Sequence, residues 1–354
     1  MNKKIKIGVF FGGQSTEHDV SVVSGTSVIK NLDKSMYEII PIYISKESKW
    51  YKYTEPVEEI EPLHVGEKIS NLEEIDGIEN ILNNIDIAFP VLHGVGGEDG
   101  SIQGLFKMFN VPYVGCNILS SSIGMDKVYT KIIFDKAKID QAKYIYIKRN
   151  KEQYIYIDNE FNEKIYSLKD IGKVIEKTLE YPMFIKPSNS GSSVGINKAK
   201  NFTELLEHIE YASKYDNKIL IEQEIVGREV ECAVLGDEKV ISSCVGEIKP
   251  AEEFYSFDSK YKSNESKIII PADLPKETSN IIRDLAIKAF KAIDGKGLSR
   301  VDFFVDEKND KIYINEINTM PGFTQISMYP KLFENVGISY KELLNKLIEI
   351  SLEN

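Results

Sequence analysis

Cysteine is scarce in this chain. Cys116, Cys232 and Cys244 make an odd count without metal-type spacing, which excludes a disulfide framework or a zinc ribbon and fits reduced, mostly buried thiols. Long apolar runs are missing too. No stretch approaches the ~20 residues that a membrane span needs. The apolar run behind the basic first residues, Ile5 to Phe11, is short and stops at Gly12-Gly13, so it reads as a first strand and not as a signal peptide. Basic charge is in deficit, with 44 Lys and Arg against 55 Asp and Glu and a formal net charge of -11. Nucleic-acid binding, which needs a basic patch to release counter-ions, is therefore not expected. Internal repeats and low-complexity tracts are absent as well. The expectation is a cytoplasmic globular protein. Its 354 residues, 42% hydrophobic and 28% charged, suffice for two or three domains with their own cores.

The first third alternates strand and helix signals. Ile5–Phe11 is a strand, Gly12–Ser15 a tight loop and Glu17–Leu32 a helix; Ile39–Ile44 and Ile85–Leu92 are further strands, and a second glycine loop, His93–Gly100, opens a helix over Ser101–Phe109. Such repetition argues for a parallel sheet covered on both faces, with ligands at the loops that leave the strand ends. From about Met125 the texture changes. A helix near Lys127–Lys138 precedes Tyr-rich strands at Lys143–Ile147 and Gln153–Ile157 with a hairpin's composition. Then follow a helix over Leu168–Glu180, strand Met183–Lys186, the Ser/Gly loop Ser188–Gly195, helix Phe202–Tyr215 and strand Ile219–Glu222. The last third carries strands Glu229–Leu235 and Val240–Val245, a polar and aromatic loop from Lys249 to Ser266 and a helix over Glu277–Ile293. Strands Leu298–Val305 and Lys311–Asn318 and a final helix, Tyr340–Leu352, complete it.

The last strand pair carries the clearest chemistry. Alternation sets Arg300 and Asp302 on one face and Glu316 and Asn318 on one face of the next strand. The polar turn Asp306–Asp310 makes the two a hairpin that brings Asp302 opposite Glu316 to within about a residue of register. Facing carboxylates repel unless a cation lies between them. Two carboxylates with an amide suit Mg²⁺, while a solvated face with Arg300 paired to Asp302 satisfies the same spacing. The loop Lys186-Pro-Ser-Asn-Ser-Gly-Ser-Ser-Val-Gly195 can nest phosphates beside a fixed lysine or be a flexible surface tract, and it lacks the Walker A order. Glu17 opens the first helix, where it can match the dipole or bind an ammonium group. His93, ending a strand, can be a structural hydrogen-bonder or a catalytic group. No nucleophilic triad stands out.

Taken in order, these pieces resemble the D-alanine–D-alanine ligase family of the ATP-grasp superfamily. The likeness runs from about residue 4 to 350 through Gly12-Gly-Gln-Ser-Thr-Glu-His-Asp-Val-Ser21, His93-Gly-Val-Gly-Gly-Glu-Asp-Gly100, Met125-Asp-Lys127, the Lys186–Gly195 loop, Arg300-Val-Asp302 and Asn315-Glu-Ile-Asn-Thr-Met-Pro-Gly322. It implies an α/β fold, α+β toward the C-terminus, in three parts: an N-terminal parallel-sheet substrate domain (1–124), a central ATP-grasp subdomain (125–225) and a C-terminal catalytic subdomain (226–354).

It also implies roles. Glu17, with Ser192 and Tyr261, would orient the first D-alanine's amino group, and His93 would lie by its carboxylate. Lys127, Lys186 and Ser193 would contact ATP phosphates, and Glu222 and Glu229 the adenine-ribose side. Asp302, Glu316 and Asn318 would bind two Mg²⁺ ions, with Mn²⁺ a possible substitute. Lys260 would meet the γ-phosphate, Arg300 and Gly322 the oxyanion, and Ser327 the second substrate's carboxylate. The loop Lys249–Ser266 resembles the family's ω-loop, which closes over the site. A homodimer is the family habit.

One segment departs from the pattern: Ala137-Lys138-Ile139-Asp140-Gln141 stands where relatives carry a Gly-Ile/Leu-Pro turn. The activity implied is ATP-dependent joining of two D-alanines through an acyl phosphate, for cell-wall precursor synthesis. Two rivals stand beside it: a ligase that takes D-serine or D-lactate as second substrate, and a nucleotide-binding regulator without turnover. Tyr261 speaks against lactate, because the depsipeptide-forming relatives carry His there, and a protonated imidazole attracts lactate's carboxylate while repelling an ammonium.

Overall fold

A computed structural model describes residues 3–249 and 267–353. Strand β1 (Ile5–Gly12) is central to the first sheet because its run is apolar on both faces: Ile7, Val9, Phe10 and Phe11 are all fully buried. Helix α1 (His18–Asn31) crosses to β2 (Tyr37–Ile44), which pairs parallel to β1. Close approach of this helix to the sheet requires Gly25, where a Cβ would come within 2.4 Å of Phe11. Two short strands, β3 (Trp50–Tyr53) and β4 (Leu72–Glu74), then add antiparallel at the edge. After α2 (Glu79–Leu82), β5 (Ile87–Val91) pairs parallel on the other side of β1, giving the order β4-β3-β2-β1-β5. The expected parallel sheet is therefore present as three strands. The edge strands carried no signal, being three or four residues long and without a fully buried position.

Helices α3 (Ser101–Met108), α4 (Ile118–Met125) and α5 (Lys127–Lys136) follow. Asp126 ends α4 and caps α5, its carboxylate accepting from the amides of Val128 and Tyr129. At the departing linker, Lys138 takes φ +54°, the left-handed conformation that glycine would adopt without strain. The chain then continues by Ile314 N–H donating to Asp140 O at 2.8 Å.

The second sheet comprises β6 (Tyr144–Asn150), β7 (Gln153–Ile157), β8 (Glu163–Tyr166), β9 (Met183–Pro187), β10 (Asn197–Ala199) and β11 (Lys218–Gln223). All its pairings are antiparallel, in the order β10-β9-β11-β6-β7-β8. Helices α6 (Leu168–Glu176) and α7 (Phe202–Ala212) cover one face through Ile171, Ile175, Leu205 and Ile209.

The third sheet holds β12 (Arg228–Gly236), β13 (Ile241–Lys249), β14 (Lys267–Ile269), β15 (Gly297–Asp306) and β16 (Lys311–Asn318), in the order β14-β13-β12-β15-β16. Helix α8 (Lys276–Ala292) packs on one face; α9 (Met328–Asn335) and α10 (Tyr340–Leu352) lie on the other. That second face shares a continuous core with the first sheet, Phe89 meeting Phe323 with ring centroids 6.1 Å apart. This joint core holds the loops of the first sheet against the segment that follows β16.

Candidate active site

Ten of the expected site residues line one cavity of about 180 Å³: Glu17, His93, Lys127, Ser192, Ser193, Arg300, Glu316, Asn318, Gly322 and Ser327. Six line a neighbouring cavity of about 520 Å³: Lys186, Ser193, Glu222, Glu229, Asp302 and Glu316. Lys260, Tyr261 and the loop to Ser266 fall outside the described residues, as do the loop's positions from 250 onward.

Glu17 stands at the N-cap of α1, yet its carboxylate makes no capping bond. It turns away to Ser192, whose hydroxyl donates to Oε1 at 2.6 Å. Gly94 and Gly191 make room for it, since a Cβ at either would lie 2.5 or 2.3 Å from Oε2. Dipole matching therefore does not account for the side chain's direction. Ser192 and Ser193 adopt φ +50° and +59°, strain that a non-glycine residue carries where a loop is shaped for a purpose. Lys127 ties the same loop down, its ammonium donating to Ser190 O at 2.6 Å and its amide to Ser188 O at 3.0 Å.

His93 is buried, with both ring nitrogens engaged. Nδ1 lies 3.0 Å from Met320 O and Nε2 3.0 Å from Ser24 Oγ. A carbonyl only accepts, so Nδ1 carries the proton and Nε2 accepts from the serine. Burial holds the imidazole below its ordinary pKa, against the pull of Glu17. Ser24 in turn accepts from Phe323 N–H at 3.2 Å, and Glu98 accepts from Gly94 N–H at 2.8 Å and Met320 N–H at 2.9 Å. Residues 320–323, which include Gly322, are thus gripped by three side chains, Ser24 from α1 and His93 and Glu98 from the loop after β5. Glu98 forms part of the cavity floor, and burial followed by the charge of Glu17 pushes its carboxyl up to about 8.

On the hairpin, Asp302 sits opposite Glu316 on one side and Glu231 of β12 on the other; the expected pairing holds to within a residue, a bulge between Asp302 and Phe303 supplying the last step of register. Arg300 bonds both Asp302 oxygens through Nε at 2.8 Å and Nη2 at 2.7 Å, and lies 3.1 Å from Glu231. Burial opposes its charge, but Asp302 and Glu231 outweigh that and raise its pKa well above the ordinary value. Asn318 donates from Nδ2 to Asp302 at 3.1 Å. Of the two alternatives read from this hairpin, the pairing of Arg300 with Asp302 is present. Among the described residues no three His, Cys, Asp or Glu side chains form a metal-holding group by themselves. Two carboxylates and an amide oxygen nevertheless fit a hard divalent cation that takes phosphate and water for its other positions.

In the larger cavity, Glu222 is clamped between two ammonium groups, Lys131 on Oε1 at 2.5 Å and Lys186 on Oε2 at 2.6 Å. Burial opposes ionisation of this carboxyl, yet the two lysines hold it down at about 2. Phe184, Ile225 and Val226 give the cavity an apolar side suited to a planar base.

Glu98, Lys131, Glu231 and Ser24 were not singled out in the sequence. Glu231 was within reach, because it alternates with Glu229 along one strand face. Lys131 lies one helical turn after Lys127. Ser24 and Glu98 carry no signal of their grip on the segment after β16, since Phe323 and Met320 lie more than two hundred positions away.

Comparison with known proteins agrees with this geometry. The family model described as D-ala D-ala ligase N-terminus matches residues 6–116, and that described as D-ala D-ala ligase C-terminus matches residues 133–349. A D-alanine--D-alanine ligase of Acetivibrio thermocellus is 48% identical over 377 residues, covering 100% of this chain and 97% of that protein. The VanG D-Ala:D-Ser ligase of Enterococcus faecalis has a similar structure, with a TM-score of 0.84 and 37% identity over 99% of this chain and 100% of the other. The D-alanine-D-alanine ligase of Coxiella burnetii reaches a TM-score of 0.80 with 31% identity, covering 99% and 94%. Family models over most of the length and relatives matched end to end carry the same conclusion as the cavity: this chain belongs to the D-alanine–D-alanine ligase family.

Proposed function

We propose that this chain is an ATP-dependent D-alanine–D-alanine ligase that works through a D-alanyl phosphate. The observation that carries the reading is that the two cavities share Ser193, Glu231 and Glu316 among their walls. An amino acid held beside Glu17 thereby has its carboxylate next to the phosphates of a nucleotide in the larger cavity.

A carboxylate is a poor acylating agent. One of its oxygens attacks the γ-phosphorus of ATP and ADP leaves, so that phosphate becomes the leaving group for the second step. The amine of a second D-alanine then attacks the acyl carbon, and phosphate departs with the transferred oxygen. Glu17, held by Ser192, takes the first substrate's ammonium, with Tyr261 as the third member of the set. His93 lies by its carboxylate. Lys127, Lys186, Ser193 and Lys260 offset phosphate charge, and Glu222 and Glu229 meet the adenine-ribose side. Arg300 and the Gly322 amide stabilise the tetrahedral oxyanion, while Ser327 takes the second carboxylate. Asp302, Glu316 and Asn318 would hold two Mg²⁺ ions, or Mn²⁺ in their place, and these would supply positive charge against the phosphates.

We assign residues 1–124, 125–225 and 226–354 to three domains, each holding one sheet. A homodimer and a cytoplasmic location complete the reading. No helix among the described residues is long and apolar enough to cross a membrane.

The test is ADP release against D-alanine, D-serine and D-lactate, with products separated at pH 6 and 7.5. D-Ala-D-Ala is the expected main product. With ¹⁸O in the first carboxylate, one label is expected in the released phosphate, and label found in the dipeptide alone rules the acyl phosphate out. D-serine as second substrate is the alternative reading, favoured by the structural likeness to the D-Ala:D-Ser ligase; serine dipeptide in excess would establish it.

A further inference from the structure

Beside the proposed nucleotide site lies a lysine, Lys131, that the reaction as described does not use. Glu222 shares its two oxygens between Lys131 and Lys186, and those two cations are placed differently. The Lys131 side chain is 4% exposed, whereas that of Lys186 is 16% exposed and lines the larger cavity. The Lys131 ammonium is surrounded by Glu222, Gln141 Oε1 at 3.3 Å and the Tyr144 ring, its centroid at 5.2 Å. These neighbours are themselves tied together. Gln141 donates to Lys131 O at 2.8 Å and to Asp135 Oδ1 at 2.5 Å, and the Tyr144 hydroxyl donates to Asp135 Oδ2 at 2.7 Å. Lys131 borders a cavity of about 10 Å³, whereas Lys186 lines that one and the larger cavity of about 520 Å³ as well.

A lysine that serves ATP phosphates must leave its carboxylate partner at least in part. In a buried site, a carboxylate deserted by its only cation either holds that cation back or takes up a proton. We propose that Lys131 is a positioning residue for the nucleotide, the resident counter-ion that keeps Glu222 charged and in place while Lys186 turns to the phosphates. The two lysines thus divide the work, one neutralising the protein's carboxylate and the other the ligand. An ion pair serving the fold alone would give a different result: its loss would lower stability without acting on ATP in particular.

This inference rests on the ligase reading, and the experiment separates the two. ADP formation by the full-length wild type with ATP and D-alanine comes first; its absence would sink the ligase reading and this inference with it. Given an active wild type, Lys131→Met is expected to raise KM for ATP by about tenfold or more, with kcat and the KM for D-alanine moving by less than about threefold. Lys131→Arg, which keeps the charge, should stay within about threefold of wild type for ATP. In the background of Glu222→Gln there is no carboxylate charge left to balance, so adding Lys131→Met should change KM for ATP by less than about twofold. An ATP KM within about twofold of wild type in Lys131→Met, a fall in kcat alone, or additive effects in the double variant would overturn the proposal. If Lys131→Met does not fold, Lys131→Gln carries the same expectation. Failure of both to fold would assign the lysine to stability only and equally overturn it.

Discussion

Replacing Arg300 by methionine keeps much of the side-chain volume and removes the charge that three carboxylates surround. In the structure the guanidinium holds both oxygens of Asp302 and lies 3.1 Å from Glu231, with Glu316 directly across from Asp302. Without it, Asp302 and Glu231 face each other on adjacent strands with no cation between them. Removing one partner of a buried ion pair costs about 3–5 kcal/mol. At roughly 2 °C per kcal/mol, the figure for larger domains, Arg300→Met should lower Tm by about 6–10 °C. The freed carboxylates can relieve the strain by protonation, so the deficit should be larger at pH 8 than at pH 5.5. Millimolar Mg²⁺ should restore more of the lost Tm in the variant than it adds to wild type, because the cation supplies the missing charge. Turnover should fall by about 10²–10³, as for loss of an oxyanion donor. Thermal denaturation at both pH values, with and without MgCl₂, checks this. A Tm within 2 °C of wild type at pH 8, or a loss independent of pH, would refute the reasoning.

Three further outcomes are expected. Glu316→Ala should abolish ADP formation at saturating Mg²⁺ with an unchanged circular-dichroism spectrum, and near wild-type turnover would remove Glu316 from the metal site. Ser192→Ala removes a charge-assisted hydrogen bond worth about 1.5–3 kcal/mol, so kcat/KM for the first D-alanine should drop about 10–100-fold while KM for ATP stays put; an equal effect on ATP would contradict the assignment. Glu98, whose carboxyl is raised from 4.5 to about 8, keeps its proton in the folded state and loses it in the unfolded chain at a lower pH. Its stabilising contribution is therefore whole below pH 4.5 and lost as pH rises through 8. Between pH 5 and 9, Tm should fall more steeply in wild type than in Glu98→Gln, and parallel curves would argue against a protonated Glu98.

The sequence alone determined whatever depends on neighbours along the chain. Alternation put Arg300 with Asp302 and Glu316 with Asn318, and a polar turn made the two strands a hairpin; a bulge between Asp302 and Phe303 then shifts the register by one residue, so that Asp302 faces Glu316 and not Asn315. Continuous apolar runs marked β1 and β5 as covered on both faces, and small polar residues after strands marked the loops that form the cavity. Order along the chain also carried the family, since six motifs in sequence leave few alternatives. Tertiary structure decided which of two readings applied at each ambiguous residue. Glu17 caps nothing because Ser192, 175 positions away, takes its carboxylate. His93 became a neutral bridge because Met320 and Ser24 occupy its two nitrogens. Glu222 shares its charge with Lys131 as well as Lys186 only because α5 packs behind β11. Side-chain direction and burial, which set charge state and hydrogen bonding, depend on contacts between distant segments, and periodicity along one segment holds no information about them.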